Sequence, residues 1–386
     1  MTRPLLDVHD LRVTFQIRRE GDMPWTAPRP LYAVGGVDFT LNPGETLGIV
    51  GESGSGKSTL ARALIGLAPG TGRADWIDGA DLLSLSPRKM LKYRSDIQMV
   101  FQDPLASLNP RMTVGQIIAE PLTTHHPELK RDEVKGRVKE MMDRVGLLPN
   151  QINRYPHEFS GGQAQRIGIA RALICRPKLV ICDEPVSALD VSIQAQVINL
   201  LIELQRDFGM ALIFIAHDLS VVKHISDRVM VLYLGRVMEV GPASELYADP
   251  RHPYTQALLS AVPVPDPAVE RAKTIIPLDG DLPSPMAPPS GCVFRTRCPR
   301  AQDRCAAEVP ALQGATGQSA TEHGATEHSA TENGATGHSA TRHGVTGQSA
   351  AEHGATGSGA TGSGAHQVAC HFPGPLTEAE IAATRR

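Results

Sequence analysis

Residues 51–59 read Gly-Glu-Ser-Gly-Ser-Gly-Lys-Ser-Thr, after the apolar run Leu-Gly-Ile-Val and before a helical pattern. A phosphate-binding P-loop needs this order of strand, loop and helix. Its glycines let consecutive backbone N–H groups surround phosphate oxygens, and the helix N-terminus adds positive potential. Lys57 is predicted to reach the β- and γ-phosphates, and Ser58 to bind Mg²⁺. The predicted nucleotide-binding residues of the loop are Gly51, Ser53, Gly54, Ser55, Gly56, Lys57, Ser58 and Thr59.

A second apolar run, Leu179–Cys182, ends in the acidic pair Asp183 and Glu184. A strand-end acidic pair can simply cap the following helix, but a P-loop in the same chain favours catalysis. Asp183 is predicted to hold Mg²⁺, directly or through water. Glu184 is predicted to act as the general base that polarises the attacking water.

The order of apolar runs and helical patterns over the first 250 residues is typical of an α/β fold. The predicted strands are Leu6–Phe15, Thr46–Val50, Ile97–Phe101, Leu179–Cys182, Ala211–Ala216 and Val229–Tyr233, and the predicted helices begin at Lys57, Leu129, Gly161 and Ile193. The segment Asp103–Phe159 is predicted to be mainly helical. A formal net charge of −3 and an aromatic content of 4% do not indicate a nucleic-acid partner.

The segment Phe159-Ser160-Gly161-Gly162-Gln163 precedes a helical pattern and lies shortly before the acidic strand. It resembles the signature motif of ABC ATPases. Its Ser160 hydroxyl and the Gly161 and Gly162 amides suit a γ-phosphate at a helix N-terminus. The resemblance covers residues 5–250. It implies a P-loop NTPase cassette with an inserted helical subdomain, and two paired cassettes that enclose ATP and Mg²⁺ between them.

Other short segments match this family in the expected order. Gln102 matches the Q-loop glutamine, which implies contact with Mg²⁺ and with membrane subunits. Asp190 matches the D-loop of the dimer interface, and His217 matches the switch histidine that contacts the γ-phosphate. Phe15 is the predicted adenine-stacking aromatic, with Tyr32 as the alternative.

Three longer segments resemble the oligopeptide/dipeptide importer group: FQDPLASLNPRMTVG, HPYTQALLSAVP and LPSPMAPPSGCVFRTRCPRAQDRC. The resemblance implies a second, non-identical ATPase subunit as partner, with this chain as the second of the pair. It also implies two membrane permeases and an extracytoplasmic solute-binding protein that acts indirectly. The chain is then peripheral, at the cytoplasmic face of the membrane. The alternatives are a different solute such as nickel, or a soluble ABC ATPase outside transport.

Composition divides the chain into four predicted parts. These are the cassette, 1–252, with its helical subdomain at about 103–165; an importer-type extension, 253–311; a low-complexity segment, 312–365; and a tail, 366–386. The proline-rich stretch from His252 to Pro289 favours extended, irregular structure over another packed core. Residues 315–364 are ten pentapeptides that closely follow Ala-Thr-x-x-Gly/Ser. They offer little apolar surface for burial, which predicts disorder.

Six cysteines occur, and Cys175 and Cys182 lie in or beside apolar runs, as expected of packed, reduced thiols. The other four are Cys292, Cys298, Cys305 and Cys370. Their spacing is wider than that of zinc knuckles, and four thiolates suit either an iron–sulfur cluster or zinc. Some members of the resembled family carry a [4Fe–4S] cluster on similar cysteines, which favours that group here. Zinc or free thiols are the alternatives.

Overall fold

Two β-sheets organise the chain in the computed structural model, which describes residues 3–18, 21, 23, 25–314 and 365–384. The described strands are β1 (Leu6–Ile17), β2 (Arg29–Leu41), β3 (Thr46–Val50), β4 (Thr71–Trp76), β5 (Ile97–Val100), β6 (Leu179–Asp183), β7 (Ala211–Ile215), β8 (Arg228–Tyr233), β9 (Arg236–Pro242), β10 (Gln313–Gly314) and β11 (Gln367–Val368). The larger sheet has the order β10-β11-β9-β8-β3-β7-β6-β5, and the smaller has the order β2-β1-β4.

Helices cover the faces of the larger sheet and fill the segment between β5 and β6. They are α1 (Lys57–Leu64), α2 (Pro87–Met90), α3 (Pro104–Ser107), α4 (Val114–His125), α5 (Arg131–Arg144), α6 (Gly161–Leu173), α7 (Val191–Phe208), α8 (Leu219–Ile225), α9 (Ala243–Ala248), α10 (Pro253–Ser260), α11 (Pro267–Ala272), α12 (Asp303–Ala307) and α13 (Glu378–Ala383). The segment after β5 is mainly helical, as predicted. Its helices α4, α5 and α6 pack together around apolar side chains.

The central strands β3, β6 and β7 are parallel to one another, and all of their residues are buried. Strands that are covered on both faces consist of continuous apolar runs, which made them recognisable in the sequence. The prediction Thr46–Val50 is confirmed residue for residue, and the other central strands differ by one residue at their ends. Helices predicted to begin at Leu129 and Ile193 instead begin at Arg131 and Val191.

The chain beyond the cassette has the irregular structure predicted from its prolines only in part: residues 273–289 contain no helix or strand, but the short helices α10 and α11 precede them. Pro253 and Pro267 stand in the first turns of α10 and α11, where the missing N–H of proline costs no intrahelical hydrogen bond. Tyr254 and Phe294 are fully buried and join the core of the larger sheet. Their rings meet Tyr233 of β8 with centroids 4.9 and 5.2 Å away. The extension therefore shares the core of the cassette.

A short antiparallel arm adds to the edge of the larger sheet. β11 pairs with both β9 and β10, and Gly314 lies opposite Gln367. Beside this arm, the buried Glu239 carboxylate accepts hydrogen bonds from the backbone N–H groups of Arg251 and His252 and from His366 Nε2 at 2.7 Å. The chain is thus anchored on both sides of the pentapeptides. The pentapeptides themselves, predicted to be disordered, lie outside the described residues.

We predict that Phe294→Ala destabilises the chain by about 3–5 kcal/mol, because it removes a buried ring from between β8 and the extension. Chemical denaturation monitored by far-ultraviolet circular dichroism measures the effect, because this signal reports the backbone and not tryptophan fluorescence. Trp25→Ala is the matched control, since Trp25 is 80% exposed. Equal losses of stability in the two variants would contradict the shared core.

Candidate nucleotide site

The loop between β3 and α1 has a backbone shape that requires glycine at two positions. Gly51 has φ 149°, and a Cβ there would lie 2.1 Å from the Leu232 carbonyl oxygen. Gly56 has φ 99°, and its Cβ would lie 2.3 Å from the carbonyl oxygen of Ala33. The loop therefore packs closely against β2 and the end of β8. The glycines predicted from the motif are the residues that permit this packing.

Lys57 lies inside the curve of the loop and is only 4% exposed. Its ammonium donates hydrogen bonds to the backbone oxygens of Gly51 at 2.7 Å and Glu52 at 2.9 Å. Burial lowers the pKa of Lys57, against the opposing effect of nearby acidic residues. Phosphate oxygens are stronger acceptors for an ammonium than neutral carbonyls. The geometry therefore presents Lys57 to a phosphate group at this loop.

Ser58 and Asp183, which the sequence assigned to Mg²⁺, are in direct contact. The Ser58 hydroxyl donates to Asp183 Oδ1 at 2.6 Å. Asp183 is fully buried, and its other oxygen, Oδ2, has no hydrogen-bond partner among the described residues. Arg62 approaches that oxygen only to 3.7 Å. A hard divalent cation prefers oxygen ligands of this kind, so the pair fits Mg²⁺.

The predicted catalytic residues are Glu184, Gln102 and His217, and the side chains of the last two both approach the Glu184 carboxylate. Gln102 Nε2 donates to Glu184 Oε2 at 3.0 Å, and His217 Nδ1 lies 3.7 Å from the same oxygen. Glu184 itself has φ 48°, a left-handed conformation that is uncommon for a non-glycine residue and is concentrated at functional sites. Its N–H donates to the Ile215 carbonyl on β7, which holds this conformation.

The signature segment forms the start of α6. Ser160 caps this 13-residue helix in a reciprocal arrangement with Gln163, whose N–H donates to Ser160 Oγ at 3.4 Å. Ser160 and Gly161 are exposed, and their helix N-terminus is open to an anion. Asp190 is likewise exposed, at the start of α7, and makes no side-chain cap. These residues therefore lie on the surface, whereas Asp183 is buried.

The two candidate adenine-stacking rings lie on adjacent strands of the smaller sheet. Phe15 is partly buried against the sheet core and pairs with Leu31, while Tyr32 is 44% exposed. Ala33, next along β2, is the residue whose carbonyl lies against Gly56. Both rings therefore belong to the strand pair that borders the loop, and the assignment of Phe15 stays a prediction.

The four C-terminal cysteines line one small cavity, together with Phe294 and Phe372. Burial raises the pKa of three of their thiols, that of Cys292 and those of Cys298, to about 12, and Cys370, to about 11. Within the described residues, however, no group of three or more His, Cys, Asp or Glu side chains is placed to hold a metal ion. The geometry thus brings together Cys292, Cys298, Cys305 and Cys370 but does not support the predicted cluster on them.

The other two cysteines are free thiols, as predicted. Burial raises the pKa of Cys175 to about 11 and that of Cys182 to about 12, which keeps both protonated.

Among the described residues, no helix is both long and apolar enough to span a bilayer.

Contacts to the loop from the C-terminal extension were not predicted. Arg297 forms a bidentate ion pair with Glu52. Tyr254 Oη accepts a hydrogen bond from the Glu52 N–H at 2.9 Å. No local sequence pattern carries this information, because the partners are more than 200 residues apart.

Comparisons with known proteins agree with this geometry. A family model described as ABC transporter matches residues 34–187, and one described as the C-terminal region of oligopeptide/dipeptide transporters matches residues 238–305. The oligopeptide transport ATP-binding protein OppF of Escherichia coli K12 is 64% identical over 82% of this chain and 95% of its own length. The putative oligopeptide transport ATP-binding protein YkfD of Bacillus subtilis is 51% identical over 80% and 92%.

Solved structures give the same result for the fold. The cbiO1 protein of Clostridium perfringens, part of the ABC transporter complex cbiONQ, has a TM-score of 0.54 and 29% identity, over 64% of this chain and 91% of that one. The ATP-binding cassette MJ0796, in a dimeric post-hydrolysis state with ADP and Pi, has a TM-score of 0.54 and 28% identity over 62% and 98%.

A P-loop after β3, an acidic pair at the end of β6, which lies two strands away in the same sheet, and a capped signature helix define an ABC ATPase. With its 64% identity to a relative that it covers almost entirely, the chain belongs to the family of oligopeptide transport ATP-binding proteins. The predicted fold class and family are confirmed.

We predict that Gly162→Ala destabilises the chain by about 1–3 kcal/mol, because the new Cβ would lie 2.6 Å from Ile193 Cγ2 on α7. The double variant Gly162→Ala/Ile193→Ala removes that methyl group and is expected to lose less stability than the two single variants together. Thermal denaturation of the four proteins measures this coupling. Strictly additive effects would show that the two helices do not meet at this glycine.

Proposed function

We propose that this ATPase powers the uptake of oligopeptides or dipeptides through separate membrane permease subunits. The observation that carries the proposal is the match of residues 238–305 to the C-terminal region of oligopeptide/dipeptide transporters. Relatives such as OppF of Haemophilus influenzae, 62% identical, are named for oligopeptide transport. A different solute, such as nickel, is the alternative that an uptake assay tests.

ATP binding closes two cassettes against each other in this proposal. The exposed Ser160 and Gly161 of one cassette bind the γ-phosphate held by the loop of the other, and Asp190 lies at their interface. A helix N-terminus suits that contact because its free N–H groups and dipole favour an anion. The closure moves the permease subunits between inward-facing and outward-facing states. The structure supports this by leaving the start of α6 exposed.

Hydrolysis uses the groups gathered at the end of β6. Glu184 takes a proton from water as the water oxygen attacks the γ-phosphorus, and the bond to the β–γ bridging oxygen breaks to release ADP. Gln102 and His217 position the water and the γ-phosphate through their contacts around Glu184. Ser58 and Asp183, with Gln102, would hold Mg²⁺, which when bound would neutralise charge on the phosphates. Lys57 binds the β- and γ-phosphates.

The partners follow from this role. We infer a second, non-identical ATPase subunit, two permeases and an extracytoplasmic solute-binding protein that acts through them. The chain then works as a peripheral subunit at the cytoplasmic face of the membrane. We propose that residues 1–252 carry the ATPase and that residues 253–311 are the importer-specific extension.

Glu184→Gln is predicted to retain ATP binding and to lower turnover by at least about 100-fold, since a neutral amide cannot accept the proton. Closed, ATP-bound dimers should accumulate. Size-exclusion chromatography with ATP, together with phosphate release by the assembled complex, measures both effects. Turnover at the wild-type rate would refute the assignment of Glu184 as the base.

Uptake distinguishes the cargo. Cells that lack this chain are expected to lose uptake of labelled tripeptides and dipeptides, and to recover it with the wild type but not with Glu184→Gln. Nickel uptake, measured in the same strains, serves as the control. Loss of nickel uptake with normal peptide uptake would replace the peptide assignment.

We also propose that the four C-terminal cysteines take up a [4Fe–4S] cluster after their side chains rearrange. The support is their convergence on one cavity and the softness of thiolate ligands, which suits iron–sulfur clusters or zinc. Bound there, the cluster would cross-link the loop of Cys292, Cys298 and Cys305 to the segment of Cys370. We propose a structural role for it, in joining these two segments.

Anaerobic purification is expected to yield about four iron and four acid-labile sulfide atoms per chain, as such a cluster contains. Cys298→Ser should lower both contents, whereas Cys175→Ser, which changes a thiol outside the cavity, should not. A colourless, iron-free protein would overturn the cluster, and stoichiometric zinc in its place would establish the zinc alternative.

A further inference from the structure

Glu52, the second residue of the phosphate loop, forms hydrogen bonds through three of its groups: its carbonyl oxygen, its N–H and its carboxylate. Its carbonyl oxygen accepts from Lys57 Nζ at 2.9 Å, and its N–H donates to Tyr254 Oη at 2.9 Å. Its carboxylate accepts from Arg297, through Nη1 at 2.7 Å and Nη2 at 3.2 Å. Two of these three attachments come from the C-terminal extension. The extension therefore restrains the backbone of the loop directly.

Arg297 is itself rigidly placed. Its side chain is 7% exposed, and its remaining N–H groups donate to the backbone oxygens of Leu278 at 3.1 Å and Asp279 at 3.3 Å. The guanidinium carbon lies 5.9 Å from the centre of the Tyr233 ring. A planar fork that is paired with a carboxylate and packed on a ring has one orientation, which a lysine cannot reproduce.

The loop that carries Arg297 also carries three of the four cavity cysteines. Arg297 directly precedes Cys298, and its N–H donates to the Phe294 carbonyl at 3.0 Å. At the base of the loop, the Cys292 N–H donates to the Cys305 carbonyl at 2.8 Å. A change in the fold of this loop therefore moves the Arg297 backbone. Its guanidinium then loses the geometry that it has at Glu52.

The charge of the Arg297–Glu52 ion pair bears on nucleotide binding. The Glu52 carboxylate is next to Gly51 in the loop that binds a polyanionic nucleotide. Without Arg297, this carboxylate would be an unpaired negative charge beside the phosphates, and like charges repel strongly where burial reduces solvent screening. The backbone of the loop would also lose one of its supports from the extension. Both effects weaken nucleotide binding.

We propose that Arg297 is a positioning residue for the phosphate loop, through which the cysteine-bearing loop, residues 291–305, controls nucleotide affinity. The proposal rests on ATP binding by residues 51–59, which the proposed function also requires. Arg297 does not touch the reacting atoms; it neutralises and orients Glu52. Because coupling between two sites is reciprocal, nucleotide binding must in turn stabilise the cysteine-bearing loop.

The first test is the affinity of the full chain, purified with its partner subunits, for a slowly hydrolysed ATP analogue with Mg²⁺. Arg297→Ala is expected to weaken binding about tenfold, within the usual range of coupling between sites. Arg297→Lys keeps the positive charge but lacks the planar guanidinium, so its affinity should fall between those of the wild type and Arg297→Ala. The control is Arg304→Ala on the same loop, where an exposed arginine pairs with exposed Glu308, and it should bind like wild type.

A second pair of variants separates charge from support. In the Arg297→Ala background, Glu52→Gln removes the unpaired carboxylate and is expected to recover part of the lost affinity. Tyr254→Phe keeps the packed ring and removes only the hydroxyl that accepts from Glu52 N–H, so it should weaken binding about fivefold. This variant also tests the support from the extension if Arg297→Ala does not fold.

Amide hydrogen exchange supplies the reciprocal measurement. The analogue should slow exchange in residues 291–305 of the wild type and of Arg304→Ala, and should not do so in Arg297→Ala. Failure of the wild type to bind the analogue would sink the proposed function itself. Wild-type binding with equal affinity in Arg297→Ala and Tyr254→Phe, or exchange in 291–305 that does not respond to the analogue, would overturn this inference alone.

Discussion

The parallel arrangement of β3, β6 and β7 is the constraint on which the site depends. Parallel strands end at the same edge of a sheet, so the segments that follow them are neighbours in space. Asp183 lies beside Ile215 in register, and Ile49 pairs with Ile215 on the other side. The phosphate loop, the acidic pair and His217 follow these three strands. Their proximity is therefore a consequence of the strand pairing. The Ser58–Asp183 hydrogen bond joins the helix after the phosphate loop directly to the end of β6.

The C-terminal extension also restrains the nucleotide site, through contacts with the core and with the phosphate loop. Aromatic side chains of the extension enter the core beside Tyr233, and two of its polar groups hold Glu52. Contacts of this kind make a segment that is peripheral in sequence part of the support of the nucleotide site. The Arg300 side chain performs the corresponding task at the tail, where it pairs with Glu380 and donates to the Phe372 carbonyl.

The position of the pentapeptide stretch is compatible with an intact fold on either side of it. Gly314 and Gln367 face each other across the β10–β11 pair, and Glu239 ties His366 to β9. The described residues that flank the stretch are thus close together and held by hydrogen bonds. Closing a longer loop between fixed ends adds only a logarithmic entropy cost, so an insertion of this length at a sheet edge is tolerated.

Local chemistry let the sequence determine the central strands, the P-loop, the acidic pair and the signature helix. Each depends on a continuous apolar run, on glycines or on a cap within a few residues, and the strand Thr46–Val50 and the helix starts at Lys57 and Gly161 were correct. The antiparallel arm, the burial of Tyr254 and Phe294 and the Arg297–Glu52 pair were decided only by tertiary structure. They join residues that are distant in the chain, and no local propensity encodes such a contact.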